Sequence, residues 1–183
     1  SVVKIFGGNV TGDLSANTGS LVVVSGGVIG NGVKANSGST VTISHGAVGD
    51  SVDALSGSVV NIYGGTVGED FDADTSSSVN LFGTQFILNG VNITNTLSYD
   101  TPTLITSRNV TLTGVLIDSS SFSFGLFSTN ASSRDFFATG AMLKVIRTLP
   151  GDFNNDGAVD AADYVVWRHS LGQTGTGLAA DVD

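Results

Sequence analysis

Apolar and polar residues alternate in short runs through the first half of the chain, and the runs recur. Val3-Lys4-Ile5, Val22-Val23-Val24, Val41-Thr42-Ile43, Val60-Asn61-Ile62 and Val79-Asn80-Leu81 each place apolar residues two apart, the spacing of a strand with one buried face. A small-residue pair follows each run: Gly7-Gly8, Gly26-Gly27, His45-Gly46, Gly64-Gly65 and Gly83-Thr84, successive pairs starting 19 residues apart. Three more columns share the period: Val10, Ile29, Val48, Val67 and Phe86; Leu14, Val33, Val52 and Phe71; Ala16, Ala35, Ala54 and Ala73. Glycine at the corners supplies backbone conformations that branched residues avoid. A 19-residue coil is at most ~60 Å around at ~3.3 Å per residue, which encloses little more than one layer of side chains. Stacked at the ~4.8 Å strand spacing, identical positions become continuous ladders. The pattern predicts an all-β fold built on a parallel β-solenoid.

These repeats, over residues 1–86, resemble those of parallel β-helix and autotransporter-like bacterial surface proteins, an architecture shared by lyases, adhesins and fibres. The spacing departs from the calcium-binding nonapeptide repeat, whose next glycine would fall earlier and whose period is shorter. From residue 87 to 149 the period fails, and alternating segments such as Val110-Thr111-Leu112-Thr113, Phe122-Ser123-Phe124 and Leu143-Lys144-Val145-Ile146 replace it. Asn89-Gly90 and Asp118-Ser119 are turn signals, and VTLTGVLIDSSSFSF reads as an antiparallel meander with Gly114 as a bulge or bend. This region is expected to cap the solenoid's last coil, with a ligand-binding sandwich as the alternative. Residues 150–183 form a third region.

Composition narrows the function. The chain of 183 residues carries 16 acidic and 7 basic side chains, a net charge of -9, which argues against a nucleic-acid partner. No apolar run reaches the ~18 residues of a membrane span. Absence of cysteine excludes disulfides and thiol chemistry. The chain opens directly in the strand-like Val2-Val3-Lys4-Ile5-Phe6, which reads as a processed or cropped start.

Asp50, Asp53, Glu69, Asp70, Asp72 and Asp74 crowd two adjacent repeats, with Asp50 and Glu69, and Asp53 and Asp72, at equivalent positions. Such a cluster reads first as a solvated face, with a loose cation site or an acid pair for polysaccharide chemistry as alternatives. For catalysis a nearby cation is wanted, and only Lys34 is available. His45 reads as a corner residue. The columns Ser20, Ser39, Ser58 and Asn17, Asn36 are expected to satisfy turn backbone.

The sharpest motif is GDFNNDGAVDAADYVVWRHSLG. Asp152, Asn154, Asp156, Gly157, Asp160 and Asp163 fall at positions 1, 3, 5, 6, 9 and 12 of a calcium loop, with Ala158 offering its carbonyl at position 7. Hard oxygens at that spacing wrap one Ca2+. Tyr164, Trp167, Arg168 and Leu171 then recur at helical spacing, with Gly172 as a C-cap. The pattern resembles a type I dockerin repeat, a calcium loop followed by one helix. A second repeat begins at Ala180-Asp181-Val182-Asp183 and stops. The resemblance implies Ca2+ and a cohesin-like partner contacted through Ala161-Ala162 and Arg168-His169. Ala161-Ala162 lacks the hydroxyls common in cellulosomal dockerins.

The sequence thus reads as a secreted bacterial protein of the cell surface, non-catalytic, structural or adhesive. It is expected to self-associate by end-to-end coil stacking into a homo-oligomer or filament, with a calcium-stabilised dockerin-like attachment module. The alternative is a polysaccharide lyase or hydrolase fragment, or a carbohydrate-binding module, tethered through that module.

Overall fold

The computed structural model describes residues 1–131, 134–154 and 158–171, and the chain divides into two compact units, Ser1–Arg147 and Thr148–Asp183. The first unit winds as the repeats dictate. Coil one holds β1 (Val2–Ile5), β2 (Asn9–Val10) and β3 (Leu14–Ala16); coil two holds β4 (Leu21–Ile29) and β5 (Val33–Ala35). Coil three holds β6 (Thr40–Val48) and β7 (Val52–Ala54), and coil four β8 (Val59–Ile62), β9 (Thr66–Val67) and β10 (Phe71–Ala73). The fifth opens with β11 (Ser78–Leu88). β1, β4, β6, β8 and β11 pair in parallel as one long sheet, and β3, β5, β7 and β10 as a second. Register is that of the repeat: Val3, Val22, Val41, Val60 and Val79 are Cα partners in turn.

Inward positions are sealed. Val41, Val60 and Val79, and Ala35, Ala54 and Ala73, are all 0 % exposed. The corner glycines are forced by close approach: Gly46 has φ +95°, and a Cβ there would meet the Gly27 carbonyl oxygen at 2.7 Å. Glycine is what allows adjacent corners to stack.

Past Leu88 the chain leaves the coil. Asn89 and Gly90, both with positive φ, make the two-residue turn into β12 (Val91–Asn92), which pairs with β11. A 3-10 turn at Thr94–Thr96 and β13 (Thr103–Ile105) follow, then the hairpin of β14 (Thr111–Leu116) and β15 (Ser121–Gly125). This is the expected antiparallel meander. The bulge, however, lies on β11 between Gly83 and Gln85, while Gly114 is small because Gln85's carbonyl and the Phe122 ring crowd it.

The chain then returns to the solenoid, which the sequence reading did not foresee. β16 (Phe136–Phe137) pairs in parallel with β10, and β17 (Met142–Arg147) in parallel with β11. Ala73 partners Phe137, and Val79 partners Leu143, both 64 positions on instead of 19, so 45 residues are inserted without loss of register. Leu143–Ile146 is therefore a coil strand rather than an element of a separate cap. β13 pairs antiparallel with β17 and covers its edge. The insertion also fills the opened coil: Phe122 and Phe124 of β15 pack with Phe71, Phe86 and Phe137, ring centroids 5.2 to 6.4 Å apart. Each such buried ring contributes about 2–3 kcal/mol.

In the second unit, among the described residues, there is one helix, α1 (Ala161–Ser170), so no helix–loop–helix is described. Gly172 and the second repeat Ala180–Asp183 lie outside the described residues.

Candidate functional site

Two carboxylates tie the described backbone before α1 to its first turn. Asp160 is the N-cap, its Oδ1 accepting from the Ala162 N–H at 2.7 Å. Asp163 answers from the third helical position as in a capping box: Oδ2 accepts from the Asp160 N–H at 2.7 Å and Oδ1 from the Asn154 N–H at 3.1 Å. Its side chain is 2 % exposed. The Asp160 N–H holds its carboxyl below the ordinary range against the opposing effect of burial, with help from the Asn154 and Phe153 N–H groups. Asp152, also buried, starts the loop with its N–H on the Leu149 carbonyl at 3.0 Å.

Of the six expected calcium ligands, Asp152, Asn154, Ala158, Asp160 and Asp163 are placed, while Asp156 lies outside the described residues, as does the turn residue Gly157. Asp163 sits where the loop closes on itself, bonded to backbone on both sides of it. Among the described residues no three carboxylate or imidazole side chains are gathered as a metal centre. Beside the loop, Phe153, Val159, Tyr164 and Trp167 line an apolar hollow, and Arg168 Nη1 donates to the Tyr164 hydroxyl at 3.1 Å.

The acidic cluster on the coils is only partly brought together. Asp53 and Asp72 are Cα partners on β7 and β10, whereas Asp50 and Glu69 are exposed and Asp74 serves a turn. The sequence reading missed the fourth member beside Asp70 and Asp72, Asp135, which arrives from the end of the insertion. Its Oδ1 accepts from the Phe71 N–H at 2.7 Å and its Oδ2 from the Gly125 N–H at 2.6 Å. In the coils below, the equivalent N–H groups of Leu14, Val33 and Val52 donate to the next coil's carbonyl. Asp135 thus replaces a backbone rung with a side chain. Burial pushes its carboxyl up in spite of those two bonds. Asp72 is pushed up to about 6, first by burial, then by Asp53, Asp70 and Asp135. One Asp72 oxygen is buried without a hydrogen-bond partner among the described residues. The arrangement favours a proton on Asp72 at mildly acid pH.

His45 is an exposed corner residue, as expected. Beside it the hairpin tip docks: Asp118 Oδ2 accepts from the Gly65 N–H at 2.7 Å, and its Oδ1 from the Ser120 N–H and hydroxyl. Burial raises the Asp118 carboxyl, but those bonds and the nearby His45 outweigh it and leave it below the ordinary range. Ser20 and Ser39 satisfy turn carbonyls at 2.6 Å, as the columns suggested, whereas Ser58 Oγ has no partner among the described residues.

No protein-family profile, curated protein or solved structure matches the chain. Among the described residues no helix is long and apolar enough to cross a membrane.

Proposed function

We propose that the chain is a non-catalytic extracellular protein of structural or adhesive type, with its C-terminal loop and helix serving as a calcium-stabilised, dockerin-like attachment module. One observation carries the reading. The solenoid's inward columns are given to packing, and the outward positions of β4, β6, β8 and β11 repeat in register without Asp, Glu, Lys or Arg rather than converging as a set of acids and bases. A surface of that kind makes contacts. Bacterial secretion and a cohesin-like partner for the module belong to the same reading. Self-association by coil stacking belongs to it as well. At the β17 end that route is closed, because β13 and Arg108 occupy the edge and the turn carbonyls.

Calcium is the first test. Residues Asp152, Asn154, Asp156, Asp160 and Asp163, with the Ala158 carbonyl, would hold the ion, which would lock the loop against α1. Calorimetric titration of the full chain with CaCl2 is expected to show one site, lost in Asp152→Ala and in Asp163→Asn. No heat with the intact chain would remove the module from the proposal.

A second reading rests on the raised Asp72 carboxyl, since a perturbed acid on a coil face suits general acid chemistry on a polysaccharide. If it holds, Asp72→Asn abolishes polysaccharide cleavage by the purified chain. If no neutral or acidic polysaccharide is cleaved by the intact protein, the reading falls.

A further inference from the structure

We infer that the outer face of the long sheet, across β4, β6, β8 and β11, is a docking surface for an uncharged polysaccharide. The inference rests on the adhesive reading above and names the partner.

The face differs from the rest of the molecule in charge. Residues 21–25, 40–44, 59–63 and 78–82 contain no Asp, Glu, Lys or Arg in a chain of net charge -9. The outward row of the second sheet carries Lys34, Asp53 and Asp72 within three coils. At ~4.8 Å per coil and ~3.3 Å per residue, the neutral field measures about 14 Å by 13 Å. Lys4 and Lys144 bound it in the central column. Depletion of charge at the centre of a surface marks a contact that excludes water.

Its polar groups are already aligned. Asn80 Nδ2 donates to Asn61 Oδ1 at 2.8 Å and Asn61 Nδ2 to Thr42 Oγ1 at 3.4 Å, a row of amides and a hydroxyl running along the solenoid axis. Each amide uses one of its two N–H groups in the row, so a further donor remains for a ligand. Val23 continues the row on one side, and the Tyr63–Phe82 ring pair, stacked at 4.0 Å, flanks it. Bonded amides beside half-exposed apolar groups match a polymer that alternates hydroxyls with C–H faces. A second copy would bring the same net charge of -9, whereas a neutral glycan brings none. The field spans a few sugar units, which suits a polymer more than a single small sugar.

The test is depletion of the full-length protein from solution by suspended cellulose, chitin and mannan, with polygalacturonate as the anionic control. At least one neutral polymer is expected to remove the protein and the anionic one to leave it. Val23→Glu and Asn61→Lys should each lower the partition about tenfold with unchanged melting, while Ser15→Glu, at an exposed position on the other sheet, should not. Should one of the two fail to fold, the other still decides. Depletion by none of the neutral polymers, or depletion indifferent to both charges, overturns the proposal. So does sedimentation showing that the same two charges break a dimer while no polymer binds. In that last case the adhesive reading survives with a second copy as the partner; absence of both polymer binding and self-association removes the adhesive reading as well.

Discussion

The uninterrupted coils and the segment that breaks the fifth coil are built by opposite means. In coils one to four, each inward residue meets its own kind one coil away, and stability is spread over columns of Val, Ile and Ala. The inserted residues have no such neighbours. Besides the pairing of β14 with β11 and the packing of Phe122 and Phe124, they are fastened by single charged side chains placed on backbone groups: Asp118 on the Gly65 N–H, Asp135 on the N–H groups of Phe71 and Gly125, and Arg108 on a set of carbonyls. A column loses one rung when one residue changes. A fastening is lost whole.

Arg108 should therefore give the largest effect. Its guanidinium donates to the carbonyls of Ile105, Ser107, Phe137, Ala138 and Ala141 at 2.8 to 3.2 Å, closing the last turn before β17. Burial draws its pKa down, the signature of a cation taken partly out of water. Arg108→Met keeps the apolar stem and removes every donor, leaving several carbonyls short of a partner at about 1–3 kcal/mol for each one buried. Urea unfolding of the full chain is expected to lose about 3 kcal/mol, against about 1 kcal/mol for Ile43→Val in a column. Equal losses at the two sites would erase the distinction.

The same difference explains what could be read in the sequence. Columns are legible because 19-residue spacing repeats Val22, Val41 and Val60 in one register, and the structure stacks them so. The return of the coil was legible only in part. Thr139-Gly140-Ala141-Met142-Leu143-Lys144-Val145 follows Thr18-Gly19-Ser20-Leu21-Val22-Val23-Val24 closely, but a period search fails once 45 residues intervene. The fastenings could not be read at all. Nothing near Asp135 in the chain points to the Phe71 N–H, because a side chain replacing a rung depends on where the insertion re-enters. At the C-terminal loop the spacing of Asp160 and Asp163 reads as a calcium loop, and the capping box those two residues form is shown only by the structure.

A smaller effect separates the two kinds of region by pH. Asp72 belongs to a column, yet Asp135 from the insertion is among the charges that push it up to about 6. The folded form holds the proton more firmly than the unfolded one, whose carboxyl titrates near the ordinary value. Its stabilising contribution is therefore full below the unfolded value and is lost as pH rises through about 6. Asp135, also raised, adds in the same direction, while the lowered Asp118 opposes it as the pH falls further. Melting of the full chain should rise between pH 7.5 and pH 5, and Asp72→Asn should raise it at pH 7.5 and flatten that slope. A slope unchanged in Asp72→Asn would assign the pH dependence elsewhere.

The finest contrast lies within a single column of the coils. Ser39 Oγ donates to the Asn36 carbonyl at 2.6 Å, and Ser58, one coil on and equally buried, has no partner for its hydroxyl among the described residues. A satisfied buried hydroxyl contributes about 1 kcal/mol, whereas an unsatisfied one costs its own desolvation. Ser39→Ala should therefore destabilise by about 1 kcal/mol, and Ser58→Ala should be neutral or slightly stabilising, as read by paired urea titrations. If both lose the same amount, the two serines are equivalent and every rung of the column is satisfied alike. If they differ, even the regular half of the molecule holds one position where the repeat was kept without the bond that gives it value.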